Sequence, residues 1–108
     1  ENTQLQWNED GKVIERFVRG LQPYPCAWTS LQNNGTSTYC KIHQVEFFEG
    51  EQILQPGRVF TDNRKLMVSV QNGSIHVKRL QLQNKKPMSD FELLNGYEMN
   101  LQAYFENP

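Results

Sequence analysis

The strongest constraint on the fold of this chain is an abrupt change of hydrophobic period at Pro23 and Pro25. Upstream, apolar residues recur at the spacing of one helical face: Ile14, Phe17, Val18 and Leu21. Downstream, short β-type runs are separated by turn signals, of which Asn72-Gly73 is the sharpest. Because proline fixes φ and disfavours the helical conformation of the residue before it, a helix cannot continue through this stretch. The chain is therefore predicted to pass from one helix, through a rigid elbow, directly into a β-structure.

The same patterns predict the individual elements. The helix begins after Asn8, a good N-cap, and ends at Gly20. Five strands are predicted at residues 27–31, 39–48, 58–61, 66–70 and 75–82, and an offset in the apolar pattern after Lys78 indicates a bulge or a change of face. The run from Ser89 to Glu92 is a capping box that opens a short closing helix, with Gly96 as its stop. Short strands with turns at this spacing predict a mainly β fold, a small closed or partly open barrel.

No residue pattern in the sequence indicates catalysis or a resident metal. Cys26 and Cys40 lack the spacing of a zinc or redox pair and are predicted to be two buried, reduced thiols rather than a disulfide. His43 and His76 have no Asp, Cys or second His at ligand spacing, and a stable metal site needs three or four ligands. There is no phosphate-cradling glycine motif. No membrane-spanning run or signal peptide is recognisable, so a cytoplasmic domain is the expectation.

Charge is distributed unevenly along the chain. The whole chain carries a net charge of -1, but residues 52–95 contain seven Lys or Arg against three Asp or Glu, a net charge of +4. Six of these cations are candidates for contacting an anionic partner: Arg58, Arg64, Lys65, Lys78, Lys85 and Lys86. A barrel that presents cations from neighbouring strands and loops can follow a phosphate backbone. An ordinary solvated surface is an equally good interpretation of charge alone, and aromatic residues suited to base stacking are sparse around these cations.

Three segments in a characteristic order resemble the C-terminal domain of the methionyl-tRNA formyltransferases. They are VIERFVRGLQPYPCAWTSL, LQPGRVF and GSIHVKRLQLQNKKPMSDFELLNG, and the resemblance covers residues 7–96. Its most specific parts are the elbow, formed by Pro23, Tyr24, Pro25 and Trp28, and the late Lys-Lys-x-Met. The elbow is expected to be architectural, with fixed φ angles and a buried indole.

The resemblance implies a single OB-like, partly open β-barrel over residues 1–108, with residues 97–108 as a tail outside the core. It also implies a role without catalysis, in which the domain helps to hold initiator tRNA. A separate Rossmann-type domain in the same protein would transfer the formyl group from 10-formyltetrahydrofolate, and its Asn-His-Asp constellation has no counterpart here. The start at ENTQLQW, without a methionine, favours an excised domain.

Two departures from the family pattern keep alternatives open. Asn84 stands where the family commonly has glycine before the lysine pair, although asparagine tolerates a positive φ. The overall acidity fits tRNA poorly, because each neutralised phosphate needs a cation. Related domains follow the catalytic halves of nucleotide-sugar formyltransferases, so a scaffold or dimer-contact domain of such an enzyme is the alternative. A barrel that only stabilises its neighbour is the third reading.

Overall fold

The computed structural model describes residues 2–108. These residues form two helices and seven strands: α1 (Gly11–Gly20), β1 (Ala27–Asn33), β2 (Thr36–Glu49), β3 (Val59–Asp62), β4 (Lys65–Val70), β5 (Gly73–Leu82), β6 (Met88–Ser89), α2 (Asp90–Gly96) and β7 (Tyr104–Phe105). The strands make one antiparallel sheet in the order β3-β4-β5-β2-β1-β7, and β6 pairs with β5. The sheet curls into a half-barrel, which confirms the predicted mainly β class with an N-terminal helix and a short C-terminal helix.

The longest pairing joins β2 to β5 and contains the predicted irregularity. The register runs from Cys40 opposite Leu82 to Glu49 opposite Gly73 and shifts on both sides of Gln44. In the shifted segment Ile42 lies opposite Leu80 while Val45 lies opposite Val77. Strict alternation would place residues 77 and 80 on opposite faces of the sheet, yet both are buried in the core. The bulge predicted after Lys78 is therefore confirmed.

The segment before α1 is part of the core. The backbone of Trp28 is hydrogen-bonded on both sides, since Leu5 N donates to its carbonyl (2.8 Å) and its own N–H donates to the carbonyl of Thr3 (3.0 Å). Trp7 is fully buried; its Nε1 donates to Thr29 Oγ1 (3.0 Å), and its ring stacks on that of Phe105 (5.2 Å between centroids).

Helix α1 starts later than predicted but buries the predicted face. Asp10, not Asn8, is the N-cap, and its carboxylate accepts a hydrogen bond from Lys12 N. The buried Trp7 explains the difference, because residues 6–9 form a turn next to it, in which Glu9 N donates to Gln6 O (3.2 Å), and the helix starts only after that turn. Ile14 and Val18 are buried as the apolar spacing required, and the helix ends at Gly20 as predicted.

The elbow projects outward more than expected. Pro23 and Pro25 are exposed, and Tyr24 is 84% exposed at the tip. Cys26 turns the chain into β1 with a left-handed φ of 75°, and its N–H donates to Leu21 O. The expected burial of the Trp28 indole is wrong. Trp28 is half-buried, because the odd positions of β1 face the core and the even positions face outward.

The C-terminal residues 97–108 differ from the expectation that they lie outside the core. Ala103 and Phe105 are each 1% exposed, and β7 pairs with β1 through Leu31 opposite Phe105. The far edge of the sheet also reaches this segment, since Val59 N donates to Ala103 O (3.0 Å) and Phe105 N donates to Gly57 O (2.7 Å). The segment occupies the space between the two sheet edges, a placement that depends on contacts far away in sequence.

Helix α2 is fixed to the sheet by one buried carboxylate. Ser89 and Glu92 form the predicted capping box, while Gly96 is the last helical residue rather than a left-handed stop. At the first position of the helix, Asp90 Oδ2 lies 2.7 Å from His76 Nε2 on β5 and accepts a hydrogen bond from Leu66 N on β4 (2.9 Å). One carboxylate thus joins two strands to the start of α2.

Replacing Gly73 by alanine is expected to destabilise the protein by roughly 2–4 kcal/mol. Its φ is +148°, and an added Cβ would collide with the backbone carbonyl of Phe48 on β2. Gly20→Ala is the control, because nothing lies within 4 Å of a Cβ there. Urea unfolding of both variants measures the difference, and equal midpoints would contradict the close approach of β2 and the β4–β5 turn.

Asp90→Ala is expected to cost roughly 2–4 kcal/mol, since it leaves His76 and the Leu66 N–H buried without their partner. Asp62→Ala removes an exposed carboxylate and is expected to change the free energy of unfolding by less than about 0.5 kcal/mol. Thermal unfolding of the pair tests this anchor of α2, and a small effect of Asp90→Ala would refute it.

Candidate nucleic-acid interface

Two tight turns present most of the predicted cations. The β3–β4 turn carries Arg64 and Lys65, and Asn63 and Arg64 both adopt left-handed φ values, 51° and 64°. The turn after β5 carries Lys85 and Lys86 and is made possible by Asn84 at φ 66°, as the tolerance of asparagine for positive φ predicted. Its geometry is fixed because Lys85 N donates to Leu82 O (3.0 Å) and Gln81 Nε2 donates to Lys85 O (3.0 Å).

Helix α2 brings these two turns and β5 together. The guanidinium of Arg64 lies over the exposed ring of Phe91, 5.4 Å from its centroid. The pKa of Glu92 is held below its usual range, mainly by the hydrogen bond from Ser89 N, with smaller contributions from the nearby charges of Arg79 and Lys86. We call the four cations grouped here the α2 cluster: Arg64, Arg79, Lys85 and Lys86. Within the described chain, no carboxylate lies within 4 Å of any of their charged nitrogens.

Lys78 is already engaged by an acid. Its Nζ lies 2.9 Å from Glu46 Oε1 on β2, with both side chains partly exposed. This hydrogen bond is the main reason why the pKa of Glu46 is lowered, and the charges of His76 and Lys65 lower it slightly further. Lys78 therefore offers less unopposed charge to a phosphate than the α2 cluster does.

Arg58 stands apart from the other candidates. It precedes β3 at the opposite end of the β3–β4 hairpin from Arg64, about 13 Å away along a strand of four residues. Its Nη2 donates to Leu101 O (3.1 Å), its Nε is buried without a hydrogen-bond partner, and its backbone bridges to Tyr104. Arg58 thus holds the C-terminal segment against β3 and does not join the α2 cluster.

Sequence reasoning missed several residues on this side of the sheet. Arg79 was absent from the six candidates although it follows Lys78 directly; it lies opposite Ser89, and its charge acts on Glu92. On β1 and β2, the rings of Trp28 and Tyr39 stack at 5.1 Å, and Lys41 lies directly opposite Trp28. The signal that could have found them is the alternation of β1 and β2, which puts all three on the outward face.

The histidines and cysteines do not form a metal site in the described residues. No group of three or more His, Cys, Asp or Glu lies together in residues 2–108. Cys26 and Cys40 are both free and buried, as predicted for their burial, and burial raises the pKa of Cys40 to about 12. The fold does place His43 Nδ1 3.7 Å from Cys26 Sγ, a neighbour that sequence spacing did not reveal; the thiol donates to Pro23 O.

Neither helix described in residues 2–108 has the length and apolar character needed to cross a membrane.

Comparisons with known proteins agree with the segments recognised in the sequence. The chain is 32% identical over 103 residues to the methionyl-tRNA formyltransferase of Flavobacterium johnsoniae, which covers 95% of this chain and 33% of that protein. It is 38% identical over 101 residues to the enzyme of the same name from Bacteroides fragilis, covering 92% of this chain and 31% of the relative. The corresponding protein of Bacteroides thetaiotaomicron is also 38% identical, over 93% of this chain and 32% of its own length.

The chain thus spans about a third of the length of these relatives. The family model described as "Formyl transferase, C-terminal domain" matches residues 1–98, which is nearly the whole chain. On these findings the chain belongs to the formyl transferase C-terminal domain family.

Proposed function

We propose that this domain is the non-catalytic C-terminal part of a methionyl-tRNA formyltransferase and that it holds initiator tRNA through the α2 cluster. Support for the parent enzyme comes from the relatives, which carry that name and match over more than nine-tenths of this chain. The nucleotide-sugar formyltransferase alternative has no comparable support.

The α2 cluster is the observation that carries the tRNA proposal. Four cations lie around one short helix, and Glu92, the acid on which the charges of Arg79 and Lys86 act, is itself hydrogen-bonded by Ser89. Residues 52–95 carry a net charge of +4 although the whole chain carries -1. Salt screens charges beyond a Debye length, which is about 10 Å at 0.1 M salt. A phosphate near this surface therefore interacts with the local positive charge rather than with the net charge of the whole chain. The overall acidity of the chain is therefore compatible with RNA binding on one side.

The type of contact follows from the side chains. Lys85 and Lys86 are exposed on a turn, where they can contact phosphates but cannot read bases by a fixed geometry. Arg64 is more rigid, because its guanidinium is placed over the Phe91 ring. Such a surface would bind the shape and charge of folded RNA with little sequence preference.

In this proposal the formyl group is moved elsewhere in the parent protein. A separate catalytic domain would bind 10-formyltetrahydrofolate and the methionyl end of the tRNA, while this domain contributes affinity and orientation. Holding a substrate in this way lowers the barrier by positioning, without any proton transfer from the holding residues.

The double variant Lys85→Ala with Lys86→Ala is expected to weaken binding of initiator tRNA by about tenfold at low salt, because each lost phosphate contact contributes up to ~1 kcal/mol. The slope of log K against log salt should fall by about 2, close to one per contact. Filter binding or fluorescence anisotropy over a salt series measures both quantities.

The control is Lys12→Ala with Arg16→Ala, which removes the same charge from the exposed side of α1. A change as large in this control as in the lysine pair would mean that only net charge matters. Absence of tRNA binding by the unmodified domain at low salt would refute the proposed role.

A further inference from the structure

An exposed aromatic and cationic surface borders the turn after β5 that carries Lys85 and Lys86, which we call the lysine turn. Trp28 on β1 and Tyr39 on β2 stack at 5.1 Å with 30° between their planes, and Tyr39 is 39% exposed. Lys41 lies opposite Trp28, and Gln81 on β5 lies opposite Lys41. We call this surface the Trp28 face and define it by Trp28, Tyr39, Lys41 and Gln81.

The lysine turn is hydrogen-bonded to this face at two points. Gln83 N donates to Tyr39 O (2.9 Å), and Gln81 Nε2 donates to Lys85 O (3.0 Å). Between them lies an open concavity of about 270 Å³, lined by Tyr39, Lys41, Gln81, Leu82, Gln83 and Asn84. This volume is slightly below the ~300 Å³ at which small-molecule pockets begin, so it suits one planar group better than a large ligand.

The chemistry of this concavity is that of a stacking site for a nucleobase. An aromatic ring offers a sequence-tolerant surface for a base, and flanking cations neutralise the adjoining phosphates. The amides of Gln81, Gln83 and Asn84 supply hydrogen-bond donors and acceptors for the edge of a base. Within residues 2–108, no carboxylate lies within 4 Å of the ammonium of Lys41 or Lys85.

We propose that the Trp28 face binds one unpaired nucleotide of the RNA, with its base against Tyr39 and its phosphates on Lys41 and Lys85. The proposal extends the proposed function from backbone contact around α2 to base stacking on a second, adjoining surface. A duplex cannot use this site because its bases are stacked within the helix, so the face would distinguish single-stranded from paired regions of one RNA.

Two other exposed aromatic side chains are less suitable. Phe91 has the guanidinium of Arg64 over its ring and does not border the concavity. Tyr104 lies opposite Gln32, whose amide donates to the carboxylate of Glu106, so an anion rather than a cation is its neighbour. Tyr104 is 44% exposed, close to the value for Tyr39, which makes it a matched control for the loss of an exposed tyrosine.

The test uses the full 108-residue chain and two fluorescently labelled probes, a six-nucleotide single-stranded RNA and a hairpin RNA with a fully paired stem. Tyr39→Leu is expected to lower the affinity for the single-stranded probe by at least about fivefold, the lower end for loss of one stacked base. Its affinity for the paired probe should fall by less than twofold. Tyr104→Leu should leave the affinities for both probes within twofold of those of the unmodified chain. Tyr39→Phe should retain most of the binding, because the ring is kept.

Intrinsic fluorescence gives a second readout. Trp7 is fully buried in the core, so quenching by the single-stranded probe is expected to come from Trp28 and to disappear in Trp28→Phe. Circular dichroism of each variant confirms that the sheet is retained, and Tyr39→Phe provides the comparison if Tyr39→Leu loses stability.

Three outcomes would overturn the inference. Tyr39→Leu could leave the affinity for the single-stranded probe unchanged, Tyr104→Leu could lower that affinity as much as Tyr39→Leu does, or Tyr39→Leu could lower the affinities for the single-stranded and paired probes equally. The last would mean that Tyr39 only supports the turn that carries Lys85. Failure of the proposed function has a different signature. If initiator tRNA does not bind, or binds equally well without Lys85 and Lys86, the proposed tRNA role is wrong. Binding of the single-stranded probe to Tyr39→Leu would still test separately whether the Trp28 face stacks a base.

Discussion

The antiparallel pairing of β2 with β5 determines where every other strand lies. β1 is added to the free side of β2, β4 and β6 are added to β5, and the remaining strands attach to these. A slip of β2 by one residue along β5 would turn Ile42 and the other core-facing residues of β2 toward solvent. The register shift at Gln44 is equally decisive, since it lets Val77 and Leu80 both face the core. The two cations between them meet different acids: Lys78 pairs with Glu46, and the charge of Arg79 acts on Glu92.

Local features of the fold were predictable from the sequence because local interactions produce them. The helical stripe of Ile14 and Val18, the capping box at Ser89 and the Asn72-Gly73 turn each depend on residues within one or two turns of chain. The start of α1 was misplaced, because a hydrogen bond between Trp7 and Thr29, 22 residues apart, holds the preceding segment. Phe105 was placed outside the core for the same kind of reason, since its partners Trp7 and Leu31 lie far away in sequence.

The candidate site shows the same limit. Sequence counting identified a basic segment but could not say which cations meet, since that depends on the bulge, on the anchoring of α2 by Asp90 and on the two left-handed turns. It therefore joined Arg58 to a group from which the hairpin separates it, and omitted Arg79. The two prolines predicted the break between α1 and β1 that the structure shows. The resemblance, however, assigned the Trp28 indole to the core, whereas the alternation of β1 places its ring on the outer surface.

Trp28 also has a mechanical role that follows from its two backbone hydrogen bonds. The segment at residues 3–5 runs parallel to β1 and is clamped to Trp28 through Thr3 O and Leu5 N. Tension applied through this segment would load those two bonds together, in shear, before it reached the rest of the sheet. The ring of the same residue forms part of the outer surface. One residue of β1 therefore joins the entering segment to the sheet through its backbone and contributes its ring to the outer surface.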